Sequence, residues 1–128
     1  MERRITIVDD ERDVRCAVRR LLKAVGLDAE GFSSAEEFLD APSARRCDCL
    51  ILDLRLPGMS GLELQSRLRA AHPKLPVIIV SARDDAGTRA QALEKGAFAF
   101  FGKPFGDEAL LRAVQTALDQ SRDIAPGL

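Results

Sequence analysis

Residues 47–61 read CDCLILDLRLPGMSG, and this stretch decides the fold. The apolar run 50–52 does not alternate with polar residues, which is typical of a strand covered on both faces in a parallel sheet. It ends in one carboxylate, Asp53, and a Leu-Pro-Gly turn follows. Because a carboxylate inside such a strand would lose its hydration at high cost, we expect Asp53 at the end of the strand, where a crevice opens. On this stretch alone, an aspartate that only caps or starts a turn is an equal alternative.

Strand-like segments alternate with segments of helical spacing along the whole chain. The mixed polarity of 28–32 indicates an edge strand, and the β-branched run 77–80 indicates a central one. The alternation predicts right-handed crossovers and a single doubly wound five-stranded parallel sheet of the α/β class, with helices on both faces. The predicted strands are 4–8, 28–32, 47–54, 77–80 and 97–101, and the predicted helices are 14–25, a short helix capped by 33–37 that ends at Pro42, 60–71, 85–95 and 106–120.

Composition narrows the class of protein. The chain has 128 residues, 46% of them hydrophobic, which suits one compact domain. With 19 basic and 20 acidic residues the formal charge is -1, so neither nucleic acid nor a membrane surface is an expected partner. The sequence has no apolar stretch that could span a bilayer and an acidic amino terminus, so we expect a cytoplasmic protein. Cys16, Cys47 and Cys49 lack redox or zinc spacing and are predicted to be buried free thiols, and His72 has no second histidine for a metal site.

The carboxyl ends of the predicted strands carry charged and polar side chains. Because parallel strands end at one edge of their sheet, these side chains should converge there. Three carboxylates that repel one another favour a compensating cation, and hard oxygen ligands suit Mg²⁺. A lysine and a hydroxyl beside them could hold phosphoryl oxygens. The residues are Asp9 and Asp10 after the first strand, Asp53 after the third, Ser81 after the fourth and Lys103 after the fifth.

Each of these residues also has a simpler interpretation when it is taken alone. Either aspartate of the 9–10 pair could cap the first helix. Ser81 could begin a turn, and Lys103 could be one solvated surface charge among many. Their joint occurrence at one edge of one sheet favours a site for a phosphoryl group.

Four short motifs follow one another in the order found in a known family. They are DDE at 9–11, LILDLRLPGMSG at 50–61, VSA at 80–82 and KPF at 103–105. In these motifs the chain resembles the receiver domain of response regulators in two-component signalling, and FSSAEEFL at 32–39 further resembles receivers of the FixJ type. The resemblance extends from Ile5 to about Leu118. It implies the flavodoxin-like strand order 2-1-3-4-5, with 1–120 as the receiver domain and 121–128 as a C-terminal tail or the start of a linker.

The resemblance implies a role for each acidic residue of the site. Asp53 would be the phosphoacceptor. Asp10 would bind Mg²⁺ directly and Asp9 mainly through water, while Asp53 and the backbone carbonyl of Arg55 would complete the protein ligands.

The remaining site residues would contact the phosphoryl group or respond to it. Ser81 and Lys103 match the positions that contact phosphoryl oxygens, and the Lys103–Pro104 peptide is expected to be cis. Ser81 and Phe100 would form the switch, although many members have Thr and Tyr at these two positions. Because Phe100 has no hydroxyl, its inward movement would depend on packing alone, and an ordinary core phenylalanine is the alternative.

These roles imply a phosphorylation-activated signalling domain, not an enzyme. It would accept a phosphoryl group from a sensor histidine kinase or a phosphotransfer protein, and it would assist its own phosphorylation and slow dephosphorylation. The fourth helix has few large apolar residues, so the face of this helix, the fifth strand and the fifth helix could move to control an output domain or a partner. Charges of both signs on that face could pair in a weak phosphorylation-dependent homodimer. They are Arg89, Glu94, Lys95, Asp107 and Glu108.

Two other functions fit a sheet of this kind less well. A flavodoxin-like electron carrier needs a phosphate loop rich in Ser, Thr or Gly after the first strand, where residues 9–11 would repel a flavin phosphate. An aspartyl-nucleophile phosphohydrolase of the haloacid-dehalogenase type needs a second aspartate two residues after the nucleophile, where Arg55 stands.

Overall fold

The computed structural model describes residues 3–41 and 46–123, with side chains as far as residue 120. Pro42, which was predicted to end the second helix, and residues 124–128 of the predicted tail lie outside the described residues. Strands and helices alternate throughout. The elements are β1 (Arg4–Val8), α1 (Arg12–Ala24), β2 (Asp28–Phe32), α2 (Ala35–Asp40), β3 (Cys49–Asp53), α3 (Gly61–Ala71), β4 (Val77–Ser81), α4 (Ala86–Glu94), β5 (Ala99–Gly102) and α5 (Asp107–Asp123).

The five strands form one parallel sheet in the order β2-β1-β3-β4-β5, which confirms the predicted fold. The register aligns the carboxyl ends of the central strands. Val8 lies opposite Leu52, and Ser81 lies opposite Gly102. Because all strands run in the same direction, the residues that follow these pairs project from one edge of the sheet.

Alternation of side chains along the strands divides the core into two halves. In β3, Ile51 points to one face of the sheet, and Leu50 and Leu52 point to the other. The first half is completed by buried side chains of α1 and α5, and the second by buried side chains of α2, α3 and α4. Both faces of β3 and β4 are therefore buried, which explains their continuous apolar sequence.

Short polar residues cap three of the helices, and the sequence predicted such a cap for α2. Ser34, Ser60 and Asp85 each accept a hydrogen bond from the backbone N–H three residues later, at 3.1, 3.1 and 2.8 Å. Each bond satisfies an amide that the helix itself leaves without a partner. These caps determine the residue at which each loop ends and the helix begins.

Several boundaries and one burial prediction differ from the sequence analysis. β3 begins at Cys49, two residues later than predicted, because its ladder with β1 starts at the Ile5 pair. β5 begins at Ala99 and not at residue 97, and α5 continues three residues past 120, to Asp123. The prediction that all cysteines are buried is confirmed for Cys49, but Cys47 is only half-buried. It is wrong for Cys16, which is exposed because it lies on the outer surface of α1.

Candidate functional site

The predicted site residues meet at the carboxyl edge of the sheet, because each lies at the end of β3 or β4 or shortly after β1 or β5. Lys103 lies at the centre of the group. Its Nζ is 2.9 Å from Asp9 Oδ2 and 3.3 Å from Asp53 Oδ2. The Lys103–Pro104 peptide is cis, as the resemblance implied.

Asp53 is the buried carboxylate at the end of β3. It is 2% exposed, and its Oδ1 accepts a hydrogen bond of 3.1 Å from the backbone N–H of Arg55. Burial raises the pKa of Asp53 to about 6; the Arg55 hydrogen bond lowers the pKa, the neighbouring Asp9 raises it and Lys103 lowers it. The carboxylate is therefore poised to change its charge near neutral pH, which is common at functional sites.

Lys103 is held by three carboxylates at once. Besides Asp9 and Asp53, Glu11 Oε1 lies 2.9 Å from its Nζ, and only 12% of the lysine side chain is exposed. Burial by itself would lower the pKa of Lys103, but the contacts with Asp9, Glu11 and Asp53 outweigh it and raise the pKa above its ordinary value. The ammonium stays protonated and offers its hydrogens to anionic oxygens.

Four carboxylates, three of which contact this lysine, lie close enough to one another to bind a metal ion. Ligand oxygens of Asp9, Asp10, Glu11 and Asp53 lie within 4.8 Å of one another. Asp9 is fully buried, and its Oδ2 accepts no well-directed hydrogen bond from any residue in the described part of the chain, although it is close to Lys103. A buried carboxylate oxygen that can still accept a ligand bond, in a cluster of oxygen ligands with excess negative charge, fits Mg²⁺.

The loops around these ligands keep them in place. Asp9 Oδ1 accepts a hydrogen bond of 2.9 Å from the backbone N–H of Glu11, and the Asp9 carbonyl accepts one of 2.7 Å from Arg15. Asp10 is exposed beside them. Arg55 follows Asp53 directly after Leu54, so its carbonyl belongs to the same loop; its role as a ligand stays a prediction.

Ser81 ends β4 in full burial. Its Oγ accepts a hydrogen bond of 3.0 Å from the backbone N–H of Arg83, which leaves its own hydrogen to be donated to a ligand. The Ser81 carbonyl accepts a hydrogen bond of 2.8 Å from the backbone N–H of Lys103. The ends of β4 and β5 are thus joined at the site.

Phe100 lies three residues before Lys103 and points into the half of the core next to α2, α3 and α4. It is 6% exposed, so the ring already occupies an inward place. This arrangement agrees with the predicted position of the switch residue and with the alternative, an ordinary core phenylalanine. Its role stays a prediction.

Sequence reasoning did not assign Glu11 to the site. Glu11 contacts Lys103 although 92 positions separate the two in the chain. Its signal was present in the DDE motif, whose third acid we interpreted only as a charge that repels a flavin phosphate.

Comparisons with known proteins agree with this geometry. The sequence model of the response regulator receiver domain matches residues 5–115. The chain is 44% identical over 121 residues to the transcriptional regulatory protein TdiR of Thauera aromatica, covering 94% of this chain and 53% of that protein. It is 42% identical over 125 residues to the response regulator protein TodT of Pseudomonas putida, covering 95% of this chain and 55% of that protein. The chain therefore spans about half the length of these curated relatives.

Solved structures show the same architecture. A CheY-like response regulator receiver domain protein from Methanospirillum hungatei JF-1 superimposes with a TM-score of 0.89 at 26% identity, covering 98% of this chain and all of that one. Within residues 3–41 and 46–123, no helix combines the length and apolar character needed to cross a membrane.

Proposed function

The chain belongs to the response regulator receiver domain family, a family of signalling domains, and from this premise we propose that Asp53 accepts a phosphoryl group from a phosphohistidine of a kinase or phosphotransfer protein. The observation that carries the proposal is a carboxylate 2% exposed, next to a lysine and within reach of three further acids. Burying such a charge costs free energy, and a structural role alone would be served as well by an apolar side chain.

The transfer would be a substitution at phosphorus. One Asp53 oxygen forms the new P–O bond as the P–N bond breaks, and the histidine leaves with the electron pair of that bond. Asp53 must be ionised to attack. A Mg²⁺ ion held by Asp9, Asp10 and Asp53, and by the Arg55 carbonyl, would neutralise charge on the transferring oxygens.

Lys103 and Ser81 would hold the transferred group. Lys103 would exchange at least one carboxylate contact for a phosphoryl oxygen, because its Nζ already lies within 3.3 Å of oxygens of Asp9, Glu11 and Asp53. Ser81 would donate its hydroxyl hydrogen to another oxygen. Water would later cleave the acyl phosphate and restore the carboxylate.

Phosphorylation would be read through α4, β5 and α5. Every residue of α4 is described, and one of them, Ala92, is buried, so displacing this helix exposes little apolar surface. Leu93 on its outer side is 47% exposed. We expect this face to regulate an output domain, as the greater length of the relatives suggests, or to form a weak homodimer. If the phosphoryl group comes from a kinase that uses ATP, the chain must meet that kinase in the cytoplasm.

The proposal is tested by mass spectrometry of the intact protein. With Mg²⁺ and acetyl phosphate, the wild type should gain one phosphoryl group, which hydroxylamine removes because the linkage is an acyl phosphate. Asp53→Asn should gain none, whereas Asp40→Asn, which changes an exposed carboxylate of α2, should behave like the wild type. Equal gains in Asp53→Asn and Asp40→Asn would reject the assignment.

A further inference from the structure

The outer face of the Phe100 ring is covered by a cation. The guanidinium carbon of Arg89, on α4, lies 4.8 Å from the centre of the ring, and Nη1 lies 3.5 Å from the Phe100 carbonyl oxygen. A guanidinium over an aromatic face is attracted by the negative charge of that face. Arg89 therefore contacts both the side chain and the backbone of β5.

Arg89 is itself held by the loop between β4 and α4. Its Nη2 donates a hydrogen bond of 2.8 Å to Asp84 Oδ1. Each of the two side chains is 45% exposed, so the pair contributes little stability by charge alone. Its effect is geometric, because it fixes the guanidinium plane above the ring.

Gly102 makes room for this arrangement. A Cβ atom at Gly102 would lie 2.5 Å from Asp84 Oδ2 and 2.8 Å from Asp84 Cγ, so any larger residue would displace the carboxylate. Gly102 and Phe100 are two residues apart in β5 and face the same side of the sheet. Gly102 also directly precedes Lys103, so the carboxylate that anchors Arg89 rests on the strand that carries the site lysine.

We propose that Arg89 is a positioning residue that holds Phe100 in its buried place, and that Asp84, seated over Gly102, holds Arg89. This inference rests on the proposed function, in which Phe100 reports the state of Asp53. It replaces the expectation that packing alone keeps Phe100 inward. Arg89 is then no longer expected to pair with a charge across a dimer, because Asp84 of the same chain already binds it.

The contact between Arg89 and Phe100 should affect how tightly the site binds a phosphoryl group. If the buried place of Phe100 accompanies a phosphoryl group at Asp53, a residue that stabilises this place must also strengthen binding of that group. Loss of the Arg89 cation should weaken binding of beryllofluoride, a phosphoryl mimic, about fivefold, which corresponds to about 1 kcal/mol.

The experiment compares Arg89→Met with Arg67→Met. Arg67 forms an exposed ion pair of 3.2 Å with Glu63 on α3, so its variant loses the same charge in a comparable setting. The dissociation constant of beryllofluoride with Mg²⁺ is measured by calorimetry. We expect weaker binding in Arg89→Met, partial recovery in Arg89→Lys and no change in Arg67→Met.

A second readout needs neither metal nor phosphoryl mimic. The protein is labelled with 4-fluorophenylalanine, and the Phe100 resonance is identified by its loss in Phe100→Leu. In the metal-free protein, Arg89→Met and Gly102→Ala should both shift this resonance towards its value in denaturant. Gly102→Ala acts by displacing Asp84 and leaves Arg89 in the sequence.

The outcomes separate this inference from the proposed function. The role of Arg89 would be overturned if the wild type bound beryllofluoride but Arg89→Met and Arg67→Met had the same beryllofluoride affinity and the same Phe100 resonance. The proposed function would then remain intact. Wild-type protein that bound no beryllofluoride and accepted no phosphoryl group would overturn the proposed function and, with it, the coupling. Even then, a Phe100 resonance that shifted in both Arg89→Met and Gly102→Ala would support the contact between Arg89 and the Phe100 ring.

Discussion

Replacing Asp53 by Asn should stabilise the metal-free protein at neutral pH, although it removes a residue of the site. The pKa of Asp53 is about 6 in the folded protein, against an ordinary value of 3.8. Between these values the folded state keeps a proton that the unfolded chain has released. The free energy of unfolding must therefore fall as pH rises through this range, and the loss is complete above the folded pKa.

The size of the effect follows from the same two values. They differ by about two units, and each unit corresponds to about 1.4 kcal/mol, so the ionised Asp53 costs the fold about 3 kcal/mol at neutral pH. Asn keeps an oxygen that can accept the Arg55 hydrogen bond and has no charge to desolvate. Between about pH 5 and about pH 7.5 the stability advantage of Asp53→Asn should grow by about 1.4 kcal/mol.

The assay is urea denaturation of the wild type, Asp53→Asn and Asp40→Asn in the presence of a chelator. Asp40→Asn controls for the loss of one negative charge at an exposed site. Added Mg²⁺ should then stabilise the wild type and have less effect on Asp53→Asn, which has lost a ligand. Parallel stability profiles for the wild type and Asp53→Asn over this pH range would refute the reasoning that burial raises the pKa of Asp53.

Three further predictions concern the remaining residues of the site and its readout. Lys103→Ala should bind Mg²⁺ at least as tightly as Lys95→Ala in calorimetry, because the competing ammonium is gone while the carboxylates remain; weaker binding would contradict this. Arg83→Ala should shorten the half-life of the phosphorylated protein, because the arginine side chain no longer shields the acyl phosphate from water. An unchanged half-life would mean that Arg83 only forms its 3.0 Å ion pair with Asp85. In sedimentation, beryllofluoride should increase the weight-average mass by weak dimerisation, and a monomer unchanged by the mimic would count against the dimer.

The sequence predicted those parts of the fold that depend on hydrophobic patterning. β1 has its predicted bounds because an apolar run bounded by turns specifies a buried strand, and β2 has its predicted bounds because mixed polarity marks an edge strand. The strand order is the one that the family resemblance implied. The convergence of Asp9, Asp53 and Lys103 was also predictable, since parallel topology alone brings strand ends together.

Side-chain partners across the fold could not be predicted in this way. Gln65 of α3 is buried and donates a hydrogen bond of 2.9 Å to the Ala92 carbonyl of α4, a polar contact within an apolar face. Glu11 reaches Lys103, and Arg89 reaches Phe100, through exposed loops and helix surfaces whose periodicity carries no such information. Each of these contacts depends on the relative placement of two elements, which becomes fixed only when the sheet and its helices are packed together.

Strand β5 connects Asp53, the proposed phosphoacceptor, with the face that would report its phosphorylation. Lys103 follows the strand and contacts Asp53, while its backbone N–H is bonded to the Ser81 carbonyl. Phe100, three residues earlier, meets α4 through Arg89. A phosphoryl group that drew Lys103 from one of its carboxylates would therefore act on a strand only four residues long, in which Phe100 meets Arg89 and Gly102 directly precedes Lys103. Because α4 is held by few buried residues, it is the neighbour that can yield with the least loss of apolar contact.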